Sequence, residues 1–145
     1  MKRALAIVIV LAFALAFGHP DAQAQSKKAG RYMVSLYNVA TGKHLQFLKW
    51  MAEREAVAKE AGASPIQWYV HQNGAGWDFI AMSEVGDPAK EAEMDKKTDE
   101  IAKKKGLTTG MAASLEFRQY IGSHSDTYAG GPYTAEELVK EAEKR

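Results

Sequence analysis

His71 and Asp78 are the residue types of a general-base site, and the glycines between them decide whether they meet. Gly74-Ala75-Gly76 turns the chain back on itself. A tight loop of Gly74-Ala75 and a wider loop of Asn73 to Gly76 both set position 71 opposite position 78. Directly opposite side chains on one face of an antiparallel pair lie about 4.5–5.5 Å apart at Cβ. At that separation Asp78 would hold the imidazole in one tautomer and favour its charged form, as carboxylates do for histidine bases. The plainer alternative is a polar cross-strand pair that only stabilises the sheet. A three-residue loop would shift the register and dissolve the pair.

Arg54 is the second candidate. Phe47, Trp50, Met51, Val57, Ala58 and Ala61 form an apolar arc on a helix wound at about 100° per residue, and Arg54 falls near its middle. Gln46, Lys49, Glu53 and Glu60 take the solvated side, while His44 and Glu55 flank the arc. A guanidinium so placed must snorkel, pair with a carboxylate, or face a cavity that holds an anion. His124-Ser125-Asp126 has the composition of a hydrolase triad, but three consecutive residues cannot converge on one nucleophile. With Thr127 and Gly130-Gly131-Pro132 behind it, that stretch reads as a turn-rich connector.

Metal binding has little support. His44, His71 and His124 fall on separate elements, with no H-x-x-x-H or H-E-x-x-H spacing, and the chain has no cysteine. A single histidine such as His71 or His124 would suffice to ligate haem iron, which alone identifies no cofactor. Gly74-Ala75-Gly76 is no phosphate loop, since it opens a strand and not a helix.

The elements that must position these residues follow from periodicity and punctuation. Arg31 to Ala40 reads as a strand, and Lys43 to Ala61 as a helix capped by Thr41 or Gly42 and stopped by Gly62. Ile66 to Asn73 and Trp77 to Val85 read as a hairpin. Asp87-Pro88 starts a second helix that runs to about Lys105. Leu115 to about Ser123 reads as a fourth strand. Thr134 and Glu137 form a capping box, with Tyr133 and Leu138 as its hydrophobic staple, at the start of a last helix. The order is α+β, β-α-β-β-α-β, the ferredoxin-like plan with an antiparallel sheet and an added C-terminal helix.

Alternation divides the strands into two faces. Tyr32, Val34, Leu36, Ile66, Trp68, Val70, Trp77, Phe79, Ala81, Leu115, Phe117 and Ile121 form an apolar set for the helices to cover. Met33, Ser35, Tyr37, Val39, Tyr69, His71, Asp78, Ile80, Met82, Arg118 and Tyr120 form a mixed set. The second set is too apolar for bulk water and too polar for a dry core. A second copy packed sheet to sheet suits it.

In this order and patterning, from Arg31 to Ser123, the chain resembles the dimeric α/β-barrel superfamily, whose members pair two ferredoxin-like sheets. The resemblance implies a homodimer. It leaves the chemistry open among monooxygenases, haem proteins, chlorite dismutase-like enzymes and small-ligand binders, because fold alone assigns no reaction.

The N-terminus places the chain. Lys2 and Arg3 precede an uncharged apolar run from Ala4 to Phe17, and Ala22-Gln23-Ala24 offers small residues for cleavage before Gln25. That is a secretory signal over 1–24, with an apolar core too short to span a bilayer, followed by a polar leader over 25–30, a domain over 31–123, and a connector with its helix over 124–145. The expected location is periplasmic or secreted, with no membrane association once the signal is removed. The signal holds two of the 19 basic and one of the 18 acidic residues, so the remainder is formally neutral. Neutrality disfavours nucleic acid, which needs a basic face. The leading expectation is an exported protein binding a small, partly apolar ligand among Tyr37, Arg54, Tyr69, His71, Asp78, Arg118 and Tyr120. The alternatives are an oxidoreductase, monooxygenase-like or haem-using, with His71 as base or ligand, and a protein-interaction module docking through the last helix.

Overall fold

The computed structural model of the chain describes residues 30–74 and 76–144. The expected signal peptide and residues 25–29 of the expected leader lie outside that range, and Gly30 opens the first strand. The elements are β1 (Gly30–Val39), α1 (His44–Ala61), β2 (Gln67–Val70), β3 (Phe79–Glu84), α2 (Pro88–Lys104), α3 (Gly110–Phe117), β4 (Ile121–Gly131) and α4 (Ala135–Glu143). They build one antiparallel sheet in the order β2-β3-β1-β4. With α1 and α2 as its two crossovers, this is the ferredoxin-like arrangement.

Local chemistry explains most boundaries. Asp87 accepts the backbone N–H groups of Ala89 and Lys90, and Glu91 reaches back to the N–H of Gly86, so α2 begins with its free donors satisfied. Thr134 and Glu137 make the reciprocal capping box at α4. Gly62 ends α1 at φ 107°, in the left-handed region that glycine enters without strain. The cap of α1 differs from expectation. Lys43 takes that position without a side-chain bond, because the residue before it, Gly42, is spent on a turn at φ 76°.

The fourth strand also differs. Gly110 to Phe117, which includes the start of the expected strand, is helical, and β4 occupies the stretch read as a connector. Met111, Ala112, Ala113, Leu115 and Glu116 are good helix formers, which the apparent alternation of Leu115, Phe117 and Ile121 conceals. β4 is rich in Gly, Ser and Asp, which disfavour strands, yet it pairs with β1 from Gly30↔Gly131 to Val39↔Ile121. The unpaired groups of β1 impose a strand on a sequence without strand propensity of its own.

Register settles which face is covered. Tyr37 lies opposite Phe79 and Ser35 opposite Ala81, while Trp68 also faces Ala81. Tyr37, Val39, Phe47, Phe79 and Ala81 form the buried cluster, with Met51, Ile66, Trp68, Phe117, Tyr120 and Ile121 packed around it. The expected faces of β1 are therefore exchanged. Met33, Ser35, Tyr37 and Val39 look toward the helices, and Tyr32, Val34 and Leu36 share the open face with Tyr69, Ile80 and Met82.

Candidate functional site

A cavity of about 380 Å³ opens between the helix side of the sheet and the helices α1 and α3. β4 is an edge strand of the sheet, and the cavity lies on its helix side. β1 contributes Met33, Ser35 and Tyr37, and β4 contributes His124 and Asp126. Tyr37 faces His124 across the strands and Ser35 faces Asp126, so two steps of strand periodicity place all four side chains on one surface. Trp50 and Met51 of α1, with Ala113, Ser114 and Phe117 of α3, close the other side.

Aromatic packing fixes the histidine. The rings of Tyr37 and His124 are nearly parallel, 15° apart with centroids at 6.2 Å, and Phe117 meets the imidazole edge-on at 5.3 Å. Nε2 of His124 lies 3.5 Å from Oδ2 of Asp126, two residues along the same face of β4. Burial pushes the Tyr37 phenol above its ordinary value, against an opposing hydrogen bond from Ser35, and the Asp126 and Glu55 carboxylates push the same way. The phenol is therefore neutral across the physiological range. No Lys or Arg lines the cavity, and its one acid is Asp126. Chemically it is a mostly apolar slot with aromatic walls and a polar end made by Ser35, His124 and Asp126.

The expected site residues do not converge here. Of Tyr37, Arg54, Tyr69, His71, Asp78, Arg118 and Tyr120, only Tyr37 lines this cavity. His71 and Asp78 do stand opposite one another, and the backbone N–H of His71 donates to the carbonyl of Asp78 at 3.0 Å. Their side chains do not pair. The Asp78 carboxylate accepts the backbone N–H of Val39 at 2.6 Å and lies 3.3 Å from Nε2 of His44. His71 instead packs its ring on Trp77, at 5.0 Å between centroids, and its Nε2 is buried without a partner among the described residues. The expected dyad does not form, because the Asp78 carboxylate is taken up by the Val39 N–H and the His44 ring.

Arg54 is a clamp between elements. It donates to the carbonyl and the hydroxyl of Thr108, meets Glu116 Oε2 at 3.3 Å, and rests over the Trp50 ring at 4.8 Å. These contacts tie α1 to the start and the far end of α3. Tyr69 is exposed on the open face, beside a second cavity of about 300 Å³ whose lining includes Tyr32, Met82 and Pro132. Arg118 is the exposed C-cap of α3, and Tyr120 packs on Trp50 in the turn before β4. The sequence reading missed His124 and Asp126 as a pair because it placed both in a connector. Their i, i+2 spacing was the available signal, and it has meaning only on a strand.

No group of three or more His, Asp or Glu among the described residues is arranged to hold a metal ion. No helix among them is long and apolar enough to cross a membrane.

Topology and cavity together define a ferredoxin-like α+β protein with an open pocket between sheet and helices. No protein-family model and no curated protein matches the chain. Solved structures do match its fold. A crystal structure of an Agrobacterium tumefaciens protein aligns with a TM-score of 0.51 at 11% identity, covering 72% of this chain and 95% of that one. A NIPSNAP family protein from Agrobacterium tumefaciens aligns with a TM-score of 0.51 at 18% identity, covering 74% and 96% respectively. At such identities the likeness concerns the fold alone.

Proposed function

We propose that this chain is an exported, homodimeric protein that binds a small, partly apolar molecule in the cavity between β1, β4, α1 and α3. The observation that carries the binding reading is that cavity itself, whose 380 Å³ falls in the range of small-ligand sites. Its aromatic walls suit a flat ligand, and Ser35, His124 and Asp126 offer polar contacts at one end.

Two further parts of the proposal rest on separate grounds. Export follows from the tripartite pattern of residues 1–24. The homodimer follows from the open face of the sheet, where Val34 is opposite Met82 and Leu36 opposite Ile80, with Tyr69 exposed alongside. Aliphatic pairs in the middle of a sheet face call for a cover, and a second sheet is the cover the fold allows. The oxidoreductase alternative rests on His71, which stands outside the cavity. A catalytic reading of this molecule would have to pass to His124.

Native mass spectrometry of the processed protein, purified from its own host, tests the binding reading. The expected spectrum is a dimer that sheds a small organic molecule on activation. A protein that arrives bare, and stays bare with every neutral aromatic compound offered to it, would overturn it.

A further inference from the structure

The polar end of the cavity carries two acceptors, Asp126 and His124, beside the Ser35 hydroxyl, which can donate or accept. Asp126 brings a carboxylate. His124 turns Nε2 toward that carboxylate, at 3.5 Å, and Nδ1 makes no hydrogen bond among the described residues. In the neutral ring the neighbouring carboxylate favours the proton on Nε2, which leaves Nδ1 as an acceptor. The ring cannot easily turn away, since Tyr37 lies parallel to it and Phe117 meets it edge-on. Asp126 is half exposed, so its role is to orient the ring and not to bury a charge.

Three consequences define the ligand. It donates a hydrogen bond, because Asp126 and Nδ1 of His124 accept and the Ser35 hydroxyl can accept as well. It is not an anion, because Asp126 is the only charged side chain on the cavity wall and no Lys or Arg offsets it. It is flat and apolar over most of its surface, because Trp50, Phe117 and Tyr37 form the walls.

We infer that this cavity takes a neutral hydroxylated aromatic compound, a phenol in the broad sense, whose hydroxyl donates to Nδ1 of His124 while Asp126 holds the ring in place. The inference deepens the ligand-binding reading and rests on it. His124 is then the residue that sets specificity, and Asp126 is a positioning residue acting through it.

The probes are 2-naphthol, 2-methoxynaphthalene and 2-naphthoate, titrated calorimetrically into the wild-type protein at neutral pH. The methyl ether keeps the shape and loses the donor, while the carboxylate keeps the rings and adds a negative charge. The expected result is that 2-naphthol binds about tenfold or more tighter than its ether, as befits a lost buried hydrogen bond, and that 2-naphthoate binds weakest. In His124→Phe the preference for the naphthol over the ether should vanish while ether binding persists. In Asp126→Asn it should shrink while the protein remains folded. Equal binding of naphthol and ether by the wild type would overturn the assignment of His124 and leave the cavity reading standing. Tighter binding of 2-naphthoate would overturn the inferred ligand class. Failure of all three probes to bind would remove the ligand site and this inference with it.

Discussion

Glu116 Oε2 lies 3.3 Å from Nη2 of Arg54, and the Thr108 hydroxyl donates to the same oxygen. Through this junction α3 is held to α1 and to the segment that follows α2, so the far wall of the cavity depends on it. α3 has no buried residue, and Met111 and Leu115 are largely exposed. Polar clamping therefore adds to the packing of Phe117 on the core in holding α3.

That junction has a pH dependence. The Thr108 hydroxyl, and beside it the Arg54 guanidinium, hold the Glu116 carboxyl below its ordinary value. A group depressed in this way contributes stability that is present above its unfolded value and lost as pH falls through its folded one. Glu116→Gln should thus lower stability at neutral pH and flatten the loss on acidification. Urea midpoints for both proteins, taken stepwise from neutral to acid pH, measure this. Parallel acid limbs would show that the junction contributes nothing to the titration.

Among the described residues Phe47 is the one fully buried aromatic side chain, at 0% exposure, and it touches the rings of Tyr37, Trp68, Phe79 and Phe117. It fastens α1 to the sheet at the centre of the core. Phe47→Ala should cost about 3–5 kcal/mol, the usual consequence of leaving a cavity the size of a ring. Urea denaturation reads the change directly, and a loss below about 1 kcal/mol would mean that α1 is held by something other than this cluster.

Ile80 faces Leu36 on the side of the sheet away from the helices. Placing a charge there should not disturb the core of the protomer, which lies on the opposite face. Ile80→Lys should therefore give a folded monomer where the wild type sediments as a dimer. A wild type that is monomeric at micromolar concentration would contradict the sheet-to-sheet pairing. The exposed Leu138 and Val139 of α4 would then be the next surface to consider as cover for that face.

What the sequence disclosed was mostly local. Asp87 with Pro88, and Thr134 with Glu137, announce helix starts within four residues, and both starts are where the pattern put them. Gly74 to Gly76 announced a hairpin, and the opposition of positions 71 and 78 followed from counting. What stayed hidden depended on distant partners. β1 carries Val and Tyr on both faces, so only its pairing of Tyr37 with Phe79 reveals which side is buried. β4 is a strand because β1 supplies a ladder for it, and no propensity in Gly122 to Asp126 says so. His124 and Asp126 became a pair only with that strand. Asp78 shows the complementary limit, since correct register did not foretell that its carboxylate would bond the N–H of Val39.

The central claim is that ligand enters the cavity between the helices and β1 and β4, and methionine methyl groups report on it directly. Met33 and Met51 line that cavity, Met82 lines the second one on the open face of the sheet, and Met94 and Met111 line neither. In a methyl NMR titration with 2-naphthol, the signals of Met33 and Met51 should shift and saturate together, while those of Met82, Met94 and Met111 hold still. Shifts centred on Met82, with Met33 and Met51 unmoved, would place the ligand on the other side of the sheet and contradict the account.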